Sequence, residues 1–116
     1  MKYFPIFLDA NNISPIIIGA RDVAARKLES LLKSTTNITV MAESLSSSVQ
    51  RLVDTHKLHW LAHNYQAGHL SGINLVIAAT DNSEVNKAVA EEATPLNILT
   101  NVVDQPELCT YITPAI

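Results

Sequence analysis

Ile13-Ser14-Pro15-Ile16-Ile17-Ile18-Gly19-Ala20-Arg21-Asp22-Val23-Ala24 is the stretch that decides the fold. A short β-branched run stopped by glycine suits a strand buried on both faces. The helical signal begins directly after it. Over 22–33, Val23, Ala24, Lys27, Leu28, Leu31 and Leu32 form a mostly apolar stripe at helical spacing. A strand that passes through a tight glycine turn into a helix is the first half of a β-α-β unit.

The rest of the chain repeats the alternation. Ile38-Thr39-Val40-Met41-Ala42 reads as a second strand, Ser47 to Thr55 as a helix, and Leu58 to Ala62 as a short strand. Leu75-Val76-Ile77-Ala78-Ala79 is the clearest buried strand, and Thr80-Asp81-Asn82-Ser83 offers N-caps for a helix over 84–93. Leu96 to Val103 reads as a further strand closed by the Asp104-Gln105-Pro106 turn, with Tyr111-Ile112-Thr113 as a last short one. Strands and helices joined by short connections predict an α/β fold: a Rossmann-type, doubly wound, mostly parallel sheet with helices on both faces.

Composition agrees with that class. The chain has 116 residues, 47% hydrophobic and 16% charged, enough for one domain over residues 1–116. A net charge of −3 argues against a nucleic-acid footprint. The single cysteine, Cys109, forms no intrachain disulfide and suits a reducing compartment. The N-terminal apolar run is short and interrupted by Pro5, so neither a signal peptide nor a membrane span is expected. The expectation is a cytoplasmic protein with no membrane or nucleic-acid partner.

In a parallel sheet of this kind ligands bind at the carboxyl ends of the strands, where strand order reverses. That edge would gather Gly19-Ala20-Arg21-Asp22, Ala42-Glu43-Ser44, Thr80-Asp81-Asn82 and Asn101-Val102-Val103-Asp104. The first turn is an imperfect dinucleotide fingerprint. Gly19 and Ala24 fill the first and last positions of G-x-G-x-x-G/A, while Arg21 stands where a glycine lets phosphates approach the backbone. An arginine there either obstructs the cofactor or pairs with its diphosphate. Against this stands the plain reading of a strand-to-helix turn that binds nothing. Glu43, 24 residues after Gly19, suits a ribose-binding acid or a solvated loop glutamate. Asp104 is either a general acid–base at the functional edge or a turn residue. His56, His59 and His63, with His69 nearby, would share a face on a helix. The strand-like alternation of 58–62 breaks that face, and no metal site is expected. Cys109 reads as a structural thiol.

Several of these segments, in one register, carry a resemblance. They are Tyr3-Phe4-Pro5-Ile6-Phe7-Leu8, Asp22-Val23-Ala24-Ala25-Arg26-Lys27, Ile77-Ala78-Ala79-Thr80-Asp81, Val85-Asn86, Asn101-Val102-Val103-Asp104 with Cys109, and Ile112-Thr113-Pro114-Ala115-Ile116. Together they resemble the precorrin-2 dehydrogenase family, the NAD-binding N-terminal domain of siroheme synthase. The resemblance implies NAD-dependent oxidation of precorrin-2 to sirohydrochlorin, and in some members insertion of ferrous iron (ferrochelatase activity). It makes Asp104 the catalytic residue, and Asp22, Val23, Glu43, Ser44 and Thr80 residues of the cofactor cleft beside Gly19 and Arg21. It also implies a homodimer. The family usually has Gly-Gly-Gly where this chain has Gly19-Ala20-Arg21, and it continues past Pro114-Ala115-Ile116 into a segment that completes the cleft and the dimer contact. The competing readings are a nucleotide-binding module without turnover, and an inactive shortened siroheme synthase domain.

Overall fold

A computed structural model describes residues 2–114. Met1, Ala115 and Ile116, the last two belonging to the carboxyl-terminal segment of the resemblance, lie outside the described residues. Five strands form one sheet: β1 (Pro15–Ile18), β2 (Thr39–Met41), β3 (His59–Leu61), β4 (Leu75–Ala78) and β5 (Leu99–Val102). All neighbours pair in parallel, in the order β3-β2-β1-β4-β5. Three helices connect them: α1 (Asp22–Leu32), α2 (Ser47–His56) and α3 (Ser83–Ala93). The expected doubly wound sheet is present, and every pairing in it is parallel.

Alternation along the strands divides the core in two. Ile17, Val40, Leu75 and Ile77 pack with Ala24, Ala25 and Leu28 of α1 and Val49 and Val53 of α2. Ile16, Ile18, Met41, Val76 and Ala78 pack with Val89, Ala90 and Ala93 of α3. β1 and β4 are buried along their whole length, as their unbroken apolar sequence requires. The helices start where their caps dictate. Ser46 accepts from the Val49 amide at the start of α2, and Asn82 from the amides of Glu84 and Val85 at the start of α3.

Two expectations need correction at the carboxyl-terminal side. The strand expected from Leu96 begins only at Leu99, because Thr94–Leu96 forms a 3-10 turn around Pro95 and Asn97 takes a left-handed conformation (φ 59°). Tyr111-Ile112-Thr113 is not a strand. The segment containing Cys109–Tyr111 runs beside β5 but bonds to it largely through side chains. The Thr100 amide donates to Thr110 Oγ1 (2.9 Å), the Val102 amide to Cys109 Sγ (3.2 Å), and the Thr110 amide to the Thr100 carbonyl (2.8 Å).

The connection between β3 and β4 is held down by Leu70, which is buried, and by Glu92 of α3. That carboxylate accepts from the Tyr65 hydroxyl and from the Gly68 amide (3.1 Å). Burial, reinforced by the Glu92 hydrogen bond and charge, raises the Tyr65 phenol above its ordinary range. Burial does the same to Tyr111, with Cys109 adding to it. Among the described residues no helix is long and apolar enough to cross a membrane.

Candidate functional site

Strand order reverses between β1 and β4. β1 and β4 stay paired for one step beyond the strands through the Ala79 amide on the Ile18 carbonyl (2.8 Å), while on its other side the Gly19 amide donates to the Met41 carbonyl at the end of β2 (2.9 Å). The chains leaving β1 and β4 then part, one into α1 on one face of the sheet and the other into α3 on the opposite face. This is the crevice that a parallel doubly wound sheet offers a ligand. Its walls are the turns that carry Gly19 and Thr80.

Gly19 is required here by the sheet itself. Its φ is +115°, and a Cβ at this position would lie 2.4 Å from the Ala79 carbonyl oxygen. The residue lets the first turn pass hard against the end of β4, a reason unconnected with phosphate approach. Arg21 is the N-cap of α1 and makes no capping hydrogen bond. Its guanidinium reaches across the crevice to the Asp81 carboxylate at 4.0 Å, and the two side chains remain 83% and 77% exposed. The arginine therefore spans the mouth of the crevice toward the turn after β4.

The amino end of α1 fits a diphosphate. The first amides of a helix have no intrahelical acceptor and carry the positive end of its dipole. Ser46 and Asn82 cap α2 and α3, whereas no side chain caps α1. Asp22 stands exposed in the first turn, and Val23 packs into the α1-side core, so its backbone is the part available to a ligand.

Glu43 and Ser44 are exposed on the loop after β2. Neighbouring residues brace this loop on both sides. Trp60 Nε1 donates to the Ala42 carbonyl (2.9 Å), and Asn64 Nδ2 donates to Glu43 Oε2 (2.9 Å). The Ser46 amide donates to the Ala20 carbonyl (3.0 Å), which joins the loop to the first turn.

Thr80 sits at the crevice wall with its hydroxyl already engaged. It donates to Asn86 Oδ1 (2.6 Å), the same oxygen that accepts the Thr80 amide (3.1 Å), and Asn86 Nδ2 donates back to the Thr80 carbonyl (3.1 Å). Asn86 is buried with both its side-chain oxygen and its nitrogen hydrogen-bonded, and it fixes the turn from β4 into α3. Sequence reasoning assigned it no role. Its only signal was its place in the Val85-Asn86 pair.

Asp104 follows β5 on the same edge of the sheet, exposed and left-handed (φ 63°). Aspartate is among the few residues that tolerate that conformation. Around it, Gln105 Nε2 donates to the Ser83 carbonyl (3.4 Å), and the Cys109 thiol lies 3.4 Å from the Val102 carbonyl and 3.6 Å from that of Gln105. Cys109 thus braces the turn that presents Asp104. The histidines are scattered: His56 ends α2, His59 lies on β3, and only His63 and His69 meet, with ring centroids 4.7 Å apart.

Comparison with known proteins places this geometry in a group. A family model described as putative NAD(P)-binding matches residues 6–115. Siroheme synthase of Pseudoalteromonas atlantica is 43% identical over all 116 residues, which make up 25% of that protein. Siroheme synthase of Actinobacillus pleuropneumoniae serotype 3 is 41% identical over the same span, 24% of its length. The chain thus spans about a quarter of the length of the curated relatives it matches. Among solved structures, SirC, a precorrin-2 dehydrogenase, superposes with a TM-score of 0.82 at 21% identity, covering 97% of this chain and 55% of that one. That likeness establishes the fold.

Proposed function

The chain belongs to the putative NAD(P)-binding family, and from that premise we propose that it binds NAD and carries the dehydrogenase step of a siroheme synthase, oxidising precorrin-2 to sirohydrochlorin. The observation that carries the reading is the uncapped amino end of α1 at the strand-order reversal, with Asp104 on the same sheet edge. Identity of about 40% to siroheme synthases across the whole chain supports it.

In this reading the amides of the first turn of α1, with Asp22 and Val23, hold the diphosphate. Glu43 and Ser44 face the adenosine ribose, and Thr80 holds the β4 wall in shape through Asn86. Bound NAD⁺ supplies the hydride acceptor. Removing two hydrogens from the tetrapyrrole also releases a proton, and the Asp104 carboxylate takes it. The turn braced by Cys109 keeps that carboxylate in the solvent-facing mouth, where a large substrate can reach it. Ferrous iron as a second substrate and self-association into a homodimer belong to the same reading. The exposed strip of Phe4, Ile6, Phe7 and Leu8 supports a protein contact at that end of the molecule.

Calorimetric titration with NAD⁺ tests the first half. Absorbance-monitored oxidation of precorrin-2 by the wild type and by Asp104→Asn tests the second. The expected result is saturable NAD⁺ binding by both proteins and turnover by the wild type alone. No binding at millimolar NAD⁺ would refute the reading.

A further inference from the structure

We infer that Asn64 and Trp60, at the outer edge of the sheet, are positioning residues for Glu43 and set a preference for NAD⁺ over its 2′-phosphorylated form. The inference rests on the proposed cofactor site and concerns residues to which no motif drew attention.

The strand order places β3 outside β2, so residues leaving β3 lie beside residues leaving β2. Three hydrogen bonds exploit that adjacency. The Ala42 amide donates to the Leu61 carbonyl (3.1 Å), Trp60 Nε1 donates to the Ala42 carbonyl (2.9 Å), and Asn64 Nδ2 donates to Glu43 Oε2 (2.9 Å). The backbone just before Glu43 is therefore held at both its amide and its carbonyl, and the side chain is held at one oxygen. A free glutamate on an exposed loop samples many rotamers, and fixing one of them before a ligand arrives removes an entropic cost of binding.

The chemistry of the donor matters as much as its position. An ionised carboxylate offers about four acceptor sites. Asn64 occupies one oxygen and leaves the other for a ribose hydroxyl. A neutral amide also orients the carboxylate without cancelling its charge, as a lysine or arginine would. Among the described residues the one ion pair is Arg21–Asp81, so the charge of Glu43 remains available to repel a 2′-phosphate.

The test is calorimetric titration of NAD⁺ and NADP⁺ into the wild type, Asn64→Ala, Trp60→Phe, Glu43→Gln and the double variant Glu43→Gln/Asn64→Ala, with the melting temperature of each. The wild type should prefer NAD⁺. Asn64→Ala should narrow the ratio of the two affinities roughly three- to tenfold, mainly through weaker NAD⁺ binding. Trp60→Phe keeps a ring and loses the donor, and it should narrow the ratio in the same direction. In the Glu43→Gln background Asn64→Ala should change the ratio no further. A purely structural role would lower the melting temperature and leave the ratio unchanged. A ratio held within about twofold by Asn64→Ala, or narrowed equally without the glutamate, overturns the inference. A wild type that binds both dinucleotides equally also overturns it while leaving the proposed function standing. A wild type that binds neither removes both.

Discussion

Replacing Gly19 by alanine tests whether that glycine serves the sheet or the ligand. The added methyl would sit 2.4 Å from the Ala79 carbonyl oxygen and 2.7 Å from its carbon, about 1 Å inside an ordinary carbon–oxygen contact. Both partners are backbone, so no side chain can swing away. The turn is pinned by the Gly19–Met41 and Ala79–Ile18 hydrogen bonds, at 2.9 and 2.8 Å, and relief of the clash lengthens at least one of them. A φ of +115° is additionally costly for any residue with a Cβ. Backbone strain, overpacking and a weakened buried hydrogen bond together amount to about 3–6 kcal/mol. For a domain of this size that lowers the melting temperature by roughly 12–25 °C. Thermal and urea unfolding without any nucleotide would measure it. A loss below about 1 kcal/mol would mean the turn relaxes freely, and the argument that β4 demands this glycine would be wrong.

Other expectations follow from the same geometry. Asp104→Asn should keep the left-handed turn and remove the base, whereas Asp104→Ala should add about 1–2 kcal/mol of backbone strain; paired unfolding and turnover measurements separate the two effects. Lys57, left-handed at the end of α2 (φ 54°), should accept glycine with a gain of about 0.5–1 kcal/mol in a urea titration. Arg21→Gly should leave the melting temperature essentially unchanged, because its ion pair is exposed, yet weaken NAD⁺ binding and flatten its salt dependence; tighter binding would mean the arginine obstructs. The phenols of Tyr65 and Tyr111 are raised in the folded state above the ordinary value of 10.0. The folded chain therefore keeps protons that the unfolded chain releases above about pH 10. This contribution to stability is complete below that pH and is lost as pH rises beyond it. Urea midpoints should fall through the alkaline range, less steeply in Tyr65→Phe and Tyr111→Phe, and a midpoint independent of pH there would contradict the assignment.

The parts of the fold legible in the sequence are those governed by local rules. Pro15–Ile18 and Leu75–Ala78 announce themselves because a strand covered on both faces must be apolar throughout. Asn82 was readable as a cap because its side chain acts on amides two and three residues ahead. What escaped depends on partners distant along the chain. Residues 111–113 have strand-like composition, but the β5 donors beside them are taken by Thr110 Oγ1 and Cys109 Sγ, which no alternation pattern encodes. Gly19 was correctly placed in a turn, but its reason lies in Ala79. The contact of Arg21 with Asp81, and that of Glu43 with Asn64, are made only once β3, β2, β1 and β4 are laid side by side.

The segment beside β5 has a consequence for how the molecule behaves in company. The outermost strand of an open sheet presents unpaired amides and carbonyls on which another extended chain can template, the usual route to aggregation. Here the outward amides of Thr100 and Val102 are satisfied by a hydroxyl and a thiol, and the Asn101 side chain reaches the Tyr111 carbonyl (3.4 Å). With the Thr110 amide also bonded to the Thr100 carbonyl, the covering segment occupies the flank of β5 on which a sixth strand would pair. At high concentration this flank should therefore resist strand-to-strand polymerisation.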